Sequence, residues 1–484
     1  MNERDNPMNI THPMNHPMPQ PLTLPPAFGQ AEFLVAPGQM MLKTGAVPGH
    51  AAVVSQGRFL AVGPLEALCA RYPHLSPVAL PDHLMMPGLI DAHTHLTQSL
   101  GKALAFGEPS EIFRRIWVPM ESTLRPEAAY LSTKLAALEA LRGGFTTVVD
   151  AGTRSESGLD AVAQAVKDVG IRCVLAMICN DLHHPQGEQA FDSVAAQASG
   201  HLARYAEDAL ITPSLGISIP EVASDRMLAH VAALTREGGY RFQTHANEHL
   251  VAVERSLVAR GRRPIELLAH VGALNSSTLL AHATLLTPHE LRLVRDNGAA
   301  IAYNPVASQW KGNAVLNAML LHVEDVPFAL GTDGTRYDAF RLMDAAEATQ
   351  RLTHGLATGD SSCGGGWMWL DHGTHLGAQA VGLGHRTGAI AEGLAADFLL
   401  LDLAVPEMLP SWDVSWELVR LADRSQLEAV FVNGALRLWQ GWPVDWDARA
   451  LLADVRRLAR EDITQAPIQR IHPVADVHRR GMNP

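Results

Sequence analysis

From residue 85 to residue 334 the chain alternates between two hydrophobic rhythms. Short runs are apolar almost throughout, and longer stretches between them place apolar residues three and four apart. The short runs are "MMPGLIDAHTH" (85–95), "FTTVVDAG" (145–152), "IRCVLAMIC" (171–179) and "ALITPSLGISI" (209–219). They continue with "YRFQTHA" (240–246), "TLLAHATLL" (278–286), "AAIAYNP" (299–305) and "PFALGTDG" (327–334). A strand buried on both faces reads as a continuous apolar run, whereas segments such as "PEAAYLSTKLAALEALRG" (126–143) carry the helical period. Eight such strand–helix units predict an α/β fold, a parallel (β/α)8 TIM barrel.

The flanks have a different rhythm. "EFLVAPGQMML" (32–42) and "HAAVVSQGRFLAVGP" (50–64) are turn-bounded, half-alternating strands. The same style returns in "GAIAEGLAADFLLLDLA" (388–404) and "LEAVFVNGALRLWQGWP" (427–443). The expectation is a small β-sandwich domain built from both chain termini, residues 29–87 and 386–445, around a barrel spanning 88–385. Residues 446–484 read as a C-terminal helix and tail, whose "DWDARALLADVRRLARE" suits either a dimer contact or packing onto its own domain. Residues 1–28 include "NITHPMNHPMPQPLTLPP", rich in His, Met and Pro without any period, and read as a disordered tail.

Composition narrows the function. The 484 residues are 47% hydrophobic and 18% charged, an ordinary globular profile. A net charge of −12 argues against a nucleic-acid partner, which needs concentrated Lys and Arg. No apolar stretch reaches membrane-spanning length, and the polar N-terminus does not resemble a signal peptide. Cys69, Cys173, Cys179 and Cys363 form no CxxC pair or disulfide spacing, which fits a reducing cytoplasm.

The candidate chemistry lies at the strand ends, which converge on one mouth of a parallel barrel. His93 and His95, two residues apart, point to the same face of a strand. The fifth strand ends with His245 and leads to Glu248, the sixth ends at His282, and the eighth leads to Asp333. Imidazole and carboxylate ligands suit a borderline divalent ion, Zn2+ first and Fe2+ or another transition metal next, with one position open for water. "HTH" alone is weak, because a single strand-end His usually serves structure. Recurrence at the same barrel end in four strands makes the case.

With those residues in view, the chain resembles the amidohydrolase superfamily over about residues 30–445. The motifs are "PGLIDAHTH" on strand one, "HANE" on five, "LAH" on six, "NPV" on seven and "GTDG" on eight. Within the superfamily it looks like the mononuclear branch of S-adenosylhomocysteine, guanine and pterin deaminases and s-triazine hydrolases. That resemblance implies one divalent metal per subunit on His93, His95, His245 and Asp333. Binuclear members use a Lys or Glu on strand four, and "ITPSLGISI" has neither. It further implies that Asp333 or His282 handles the proton of a metal-activated water, and that Glu248 protonates the ring nitrogen beside the attacked carbon. Ammonia then leaves an amino-substituted N-heterocycle of purine, pterin, pyrimidine or triazine type. The alternative is a hydrolase that expels chloride or an alkylamine from a triazine-like ring, or opens a cyclic amide.

Gln98, Trp117, Glu121, Asn304, Ser308 and Arg336 are the candidate substrate contacts. "IWVPME" resembles the segment carrying a ribose-contacting Glu in nucleoside-type deaminases, which singles out Glu121 and Trp117. Two departures count against an adenosine-type substrate. Ser218 stands in "ISIPEVAS", where the resemblance leads one to expect a His, and "GTRYDAF" follows the metal Asp. Arg336 there suits an anionic substrate group or an ion pair with Asp338. His249 reads as a rim residue, His183 and His184 as rim or surface, and "DSSCGGGWMWLDHGTH" (360–375) as a flexible lid or loop. The partners implied are a small heterocyclic substrate and a second copy in a homodimer.

Overall fold

The computed structural model describes residues 22–108, 111–155, 158–182, 190–359, 363–472 and 480. The N-terminal His/Met/Pro segment up to residue 21, and His183 and His184, lie outside the described residues. The first five strands are β1 (Glu32–Leu42), β2 (Gly45–Pro48), β3 (His50–Ser55), β4 (Arg58–Pro64) and β5 (Pro77–Pro87). Eight parallel strands follow: β6 (Leu89–Thr94), β7 (Phe145–Asp150), β8 (Arg172–Ile178), β9 (Ile211–Ile217), β10 (Phe242–Ala246), β11 (Thr278–His282), β12 (Ala300–Tyr303) and β13 (Phe328–Leu330). Four more complete the set: β14 (Phe398–Asp402), β15 (Leu427–Val432), β16 (Ala435–Trp439) and β17 (Trp442–Pro443).

Strands β6 to β13 lie in sequence order in one sheet, with every neighbouring pair parallel. The Asp333 N–H donates to the His93 carbonyl at 2.9 Å, joining the end of β13 to β6 and closing the barrel. All eight apolar runs read from the sequence are these strands. Most of them are largely apolar because helices cover one face and the barrel interior fills the other; β10, with Gln243, Thr244 and His245, is the most polar.

The β domain is one continuous mixed sheet in the order β17-β16-β15-β14-β5-β1-β3-β4, with β2 paired to β1. One face gathers Phe33, Val54, Phe59, Met85, Phe398 and Phe431 from six strands into a single core, so the sheet curls over itself. The stacked Phe398 and Phe431 rings, 4.3 Å apart, sit in that core. The opposite face sends Leu84, Met86, Leu399, Leu401, Val430 and Val432 into the main core beside Leu141 and Phe145. Each such side chain contributes about 1.5–3 kcal/mol relative to exposure, enough to fix the barrel on the sheet.

Two further elements anchor the halves. Arg172 at the start of β8 donates from Nε and Nη2 to Asp397 at 2.9 and 3.1 Å, with both side chains fully buried. Asp397 also accepts Thr387 Oγ1 and the Asn433 N–H, so the pair is hydrogen-bonded on every side a buried charge requires. The helix Ala448–Leu458, capped by Asp447, buries Leu451 and Leu458 against the helix Pro126–Arg142 of its own barrel. All four cysteines are free thiols. No described helix is long and apolar enough to cross a membrane.

Removing one member of the Arg172–Asp397 pair strands a buried charge. Arg172→Met is expected to lower unfolding free energy by about 3–5 kcal/mol in urea titrations, and Arg172→Met/Asp397→Asn to recover part of that loss.

Candidate metal centre

The site is built at the barrel's closing seam. The β6–β7 register slips between Asp91 and Thr94, and the His93 backbone bonds elsewhere at that break. Its N–H donates to Asp91 Oδ1 at 3.3 Å, and its carbonyl accepts from Asp333. The Asp91 carboxylate also accepts the Thr332 N–H at 2.9 Å and the Thr332 hydroxyl at 2.5 Å. Burial pushes Asp91 up to about 7 against the pull of these bonds. Close approach explains the glycines of "GTDG". A Cβ at Gly331 would lie 2.2 Å from Asn304 Oδ1, and Gly334, at φ +74°, would press on the His95 backbone at 3.1 Å.

Asp333 Oδ1 lies 3.4 Å from His93 Nε2 and 3.5 Å from His95 Nε2. His95 Nε2 faces His245 Nε2 at 3.3 Å. His245 Nδ1 donates to the Ser218 carbonyl at 2.8 Å, so its Nε2 keeps the lone pair and turns it into the cluster. Burial holds His95 and His245 below their ordinary pKa and so keeps the imidazoles neutral, the form that ligates a metal. Potential ligand atoms of His93, His245, His282 and Asp333 all lie within 4.8 Å of one another. His93 Nε2 is buried without a hydrogen-bond partner. Converging lone pairs around one carboxylate, with a buried nitrogen left over, fit a single divalent cation.

His282 also borders this cluster, but its tautomer sets it apart. The Asn304 amide faces His282 Nδ1 at 3.2 Å, and donation there leaves the proton on Nε2, 3.8 Å from Glu248 Oε1. That nitrogen presents an N–H to a carboxylate rather than a lone pair to a metal. Burial lowers the His282 pKa to about 4. Asn247, His282, Ala283 and Asp333 all adopt positive φ, between 47° and 72°, so backbone strain concentrates where the strands deliver these groups.

Lys311 escaped the sequence reading. Its ammonium lies 2.5 Å from Asp333 Oδ2 and 2.8 Å from Glu248 Oε1. Burial alone would raise both carboxyl pKa values, but Lys311 holds them well below the usual range. The available signal was "NPVASQWKG": the helix Pro305–Lys311 starts at the strand end and brings its last residue back over the mouth.

The mouth opens into a cavity of about 830 Å3, measured with its open side. Gln98 and Trp117 line it, as do His95, His245, Glu248, His249, Lys311 and Asp333, so His249 is a rim residue as its position suggested. The other predicted contacts stand elsewhere. Glu121 is off the cavity wall, fully buried, accepting Thr97 Oγ1 at 2.7 Å and pairing with Arg154 at 2.5 Å. Asn304 is spent on His282. Ser308 is buried in the helix Pro305–Lys311 and does not line the cavity. Arg336 points away from it with a half-exposed side chain 3.7 Å from Asp338, the ion-pair reading of the two considered. The stretch read as a lid contains the helix Gly366–Gly373, whose His372 contacts the Phe328 carbonyl at the opposite end of β13 from the site. This helix belongs to the barrel floor, and residues 360–362 of the stretch lie outside the described residues.

Residues 84–437 match the model of the amidohydrolase family. A 5-methylthioadenosine/S-adenosylhomocysteine deaminase of Moorella thermoacetica is 28% identical over 417 residues, covering 86% of this chain and 96% of the relative. A 5'-deoxyadenosine deaminase of Methanopyrus kandleri is 29% identical, covering 78% of this chain and 86% of the relative. An adenosine deaminase structure from Xanthomonas campestris, with bound zinc, superposes with a TM-score of 0.81 at 27% identity, covering 89% of this chain and 98% of that one. The atrazine chlorohydrolase of Arthrobacter aurescens has the same fold, with a TM-score of 0.78 at 20% identity, covering 88% of this chain and 100% of that one.

The depressed His282 pKa sets a sign for acid sensitivity. Its stabilising effect is complete above pH 6.5 and is lost as pH falls towards 4, because the unfolded chain takes up the proton first. In chelator-treated protein, His282→Asn is expected to flatten the loss of unfolding free energy over that window by about 1–3 kcal/mol. Identical slopes for the two proteins would refute the assignment.

Proposed function

Because the chain belongs to the amidohydrolase family, we propose that it is a metal-dependent aminohydrolase releasing ammonia from an amino-substituted N-heterocycle. One observation carries this reading: His93, His95, His245, His282, Asp333 and Glu248 meet at one barrel mouth, beside a ring-sized cavity. His93, His95, His245 and Asp333 would hold one divalent ion, Zn2+ first and Fe2+ or another transition metal next. Such an ion, when bound, supplies Lewis-acid activation of water at neutral pH.

The side chains do the rest. Asp333 accepts the proton of the attacking water, and His282, fixed by Asn304, presents its N–H towards Glu248 and steadies that carboxylate. Glu248 takes the other proton of that water and passes it to the ring nitrogen next to the attacked carbon, where negative charge would otherwise build up. The proton held by Asp333 goes to the departing amino group, which leaves as ammonia. Lys311 keeps Glu248 and Asp333 both ionised in the resting site, so each starts the cycle able to accept a proton. Gln98, whose amide both donates and accepts, reads the ring edge, and Trp117 and Phe113 cover its faces.

Glu121, committed to Arg154 and Thr97, is not one of the cavity's carboxylates; Glu111 and Glu221 line it and pair with Arg255. The substrate is a small molecule, and a cytoplasmic homodimer completes the proposal.

Ammonia release should be measured for zinc-loaded protein against guanine, adenosine, pterin, cytosine and melamine. Turnover of at least one of them is expected, whereas chloride or alkylamine release from chlorotriazines without ammonia would reassign the reaction. Glu248→Gln should retain the metal and lose on the order of 10²–10⁴ in kcat. Asp333→Ala should lose stoichiometric metal by elemental analysis along with activity.

A further inference from the structure

One wall of the cavity comes from a single stretch, Glu111, Ile112, Phe113, Arg114 and Trp117. What stands behind it is the far end of the chain. Ala105, Ile116, Trp117 and Met120 form a small apolar cluster with Ile463, Ile468 and Trp310. Ile463 also packs against the main core, so the tail joins the wall to it.

A polar knot locks the same two segments together. The Glu108 carboxylate accepts four bonds: Arg115 Nη1 at 3.0 Å, Arg470 Nε at 3.1 Å, and the N–H groups of Ile471 and His472 at 3.0 and 3.2 Å. Three of these donors belong to the C-terminal tail. Arg115 and Gln469 also bond reciprocally: the Gln469 N–H donates to the Arg115 carbonyl at 2.8 Å, and Arg115 Nη1 to the Gln469 carbonyl at 2.8 Å. Arg125 grips Asp462 through Nη2 at 2.6 Å and Nε at 3.1 Å, fixing where the tail leaves its helix. The tail partners Asp462, Gln469, Arg470, Ile471 and His472 lie beyond the stretch 84–437 that matches the family.

The braced wall reaches the chemistry by two routes. Glu111 pairs with Arg255 at 3.0 Å, and Arg255 with Glu221 at 3.1 Å, tying the wall across the cavity rim. Phe106 packs edge-on against Trp310, 5.4 Å between centroids, and Trp310 precedes the Lys311 that joins Glu248 to Asp333.

We propose that residues 459–472 are a positioning element of the substrate cavity, with Glu108 as the positioning residue through which this tail fixes the wall at 111–118. The tail touches no reacting atom. It sets the wall against which a ring stacks, so losing it weakens substrate capture while leaving the metal ligands in place. The kinetic part of this inference rests on the proposed aminohydrolase reading; the structural part does not.

The test compares zinc-loaded wild type with Glu108→Ala, Ile468→Asp and a chain ending at Leu458. Hydrogen exchange read by mass spectrometry should accelerate about tenfold or more in residues 111–118, with the barrel strands unchanged. For whichever of adenosine, guanine or pterin the wild type turns over fastest, KM should rise about tenfold while kcat stays within about threefold, and zinc content should not change. Unaltered exchange and KM in the two point variants would overturn the proposal. So would faster exchange spread evenly over the barrel with loss of zinc, which marks a general stability element. If the shortened chain does not fold, the point variants decide. If wild type releases no ammonia from these three or from cytosine or melamine, the aminohydrolase reading loses its support, while the exchange measurement still judges the tail.

Discussion

The structure depends on how its last barrel strand meets its first. The bonds across that seam, from Asp333 to the His93 carbonyl and from Thr332 to the Asp91 carboxylate, join residues more than two hundred positions apart. They do two jobs at once. They close a sheet that would otherwise end in two open edges, and they set the Asp333 carboxylate beside the imidazoles of His93 and His95. A donor set that must converge on one ion tolerates errors of only about half an ångström, so it has to be built on rigid strands rather than loops. Asp91 is not among the converging donors, yet its burial and its three bonds fix the backbone from which those donors project.

How much was legible in the sequence follows from the same physics. Strands buried on both faces are mostly apolar, so the eight runs were recognisable even with Arg172, Gln243 and Thr244 among them. The polar residues that interrupt those runs at their ends, His93, His95, His245, His282 and Asp333, stood out against that background. The cavity contacts were far less visible, because they depend on which way a loop turns and on partners remote in sequence. Glu121 looked like a substrate carboxylate until Arg154 and Thr97 took it. Asn304 turned towards His282 and Arg336 towards Asp338. The Gly-rich stretch around 363–366 suggested a moving loop, yet the helix that follows buries Met368 and Trp369 in the main core. Lys311 was missed for the opposite reason, since a lone Lys at a helix end normally points to water.

A second theme is that charge at the mouth is largely paired within the protein. Arg255 is matched to both Glu111 and Glu221, and Lys311 to Glu248 and Asp333, while away from the cavity wall Arg154 is matched to Glu121. Pairing of this kind holds the site in one arrangement without a ligand, and a neutral ring entering it disturbs few ion pairs. The site thus favours shape and hydrogen-bond pattern over net charge in choosing what it admits.

The small sheet has a temporal consequence. Strand β5 leads directly into the first barrel strand, yet its own neighbour β14 pairs Leu400 with Met85 and comes from the other end of the chain. On a ribosome elongating at ~5–20 residues per second, β5 waits on the order of tens of seconds for its partner, with an apolar edge unpaired meanwhile. That edge of β5 stays open until residues 398–402 of β14 have left the ribosome.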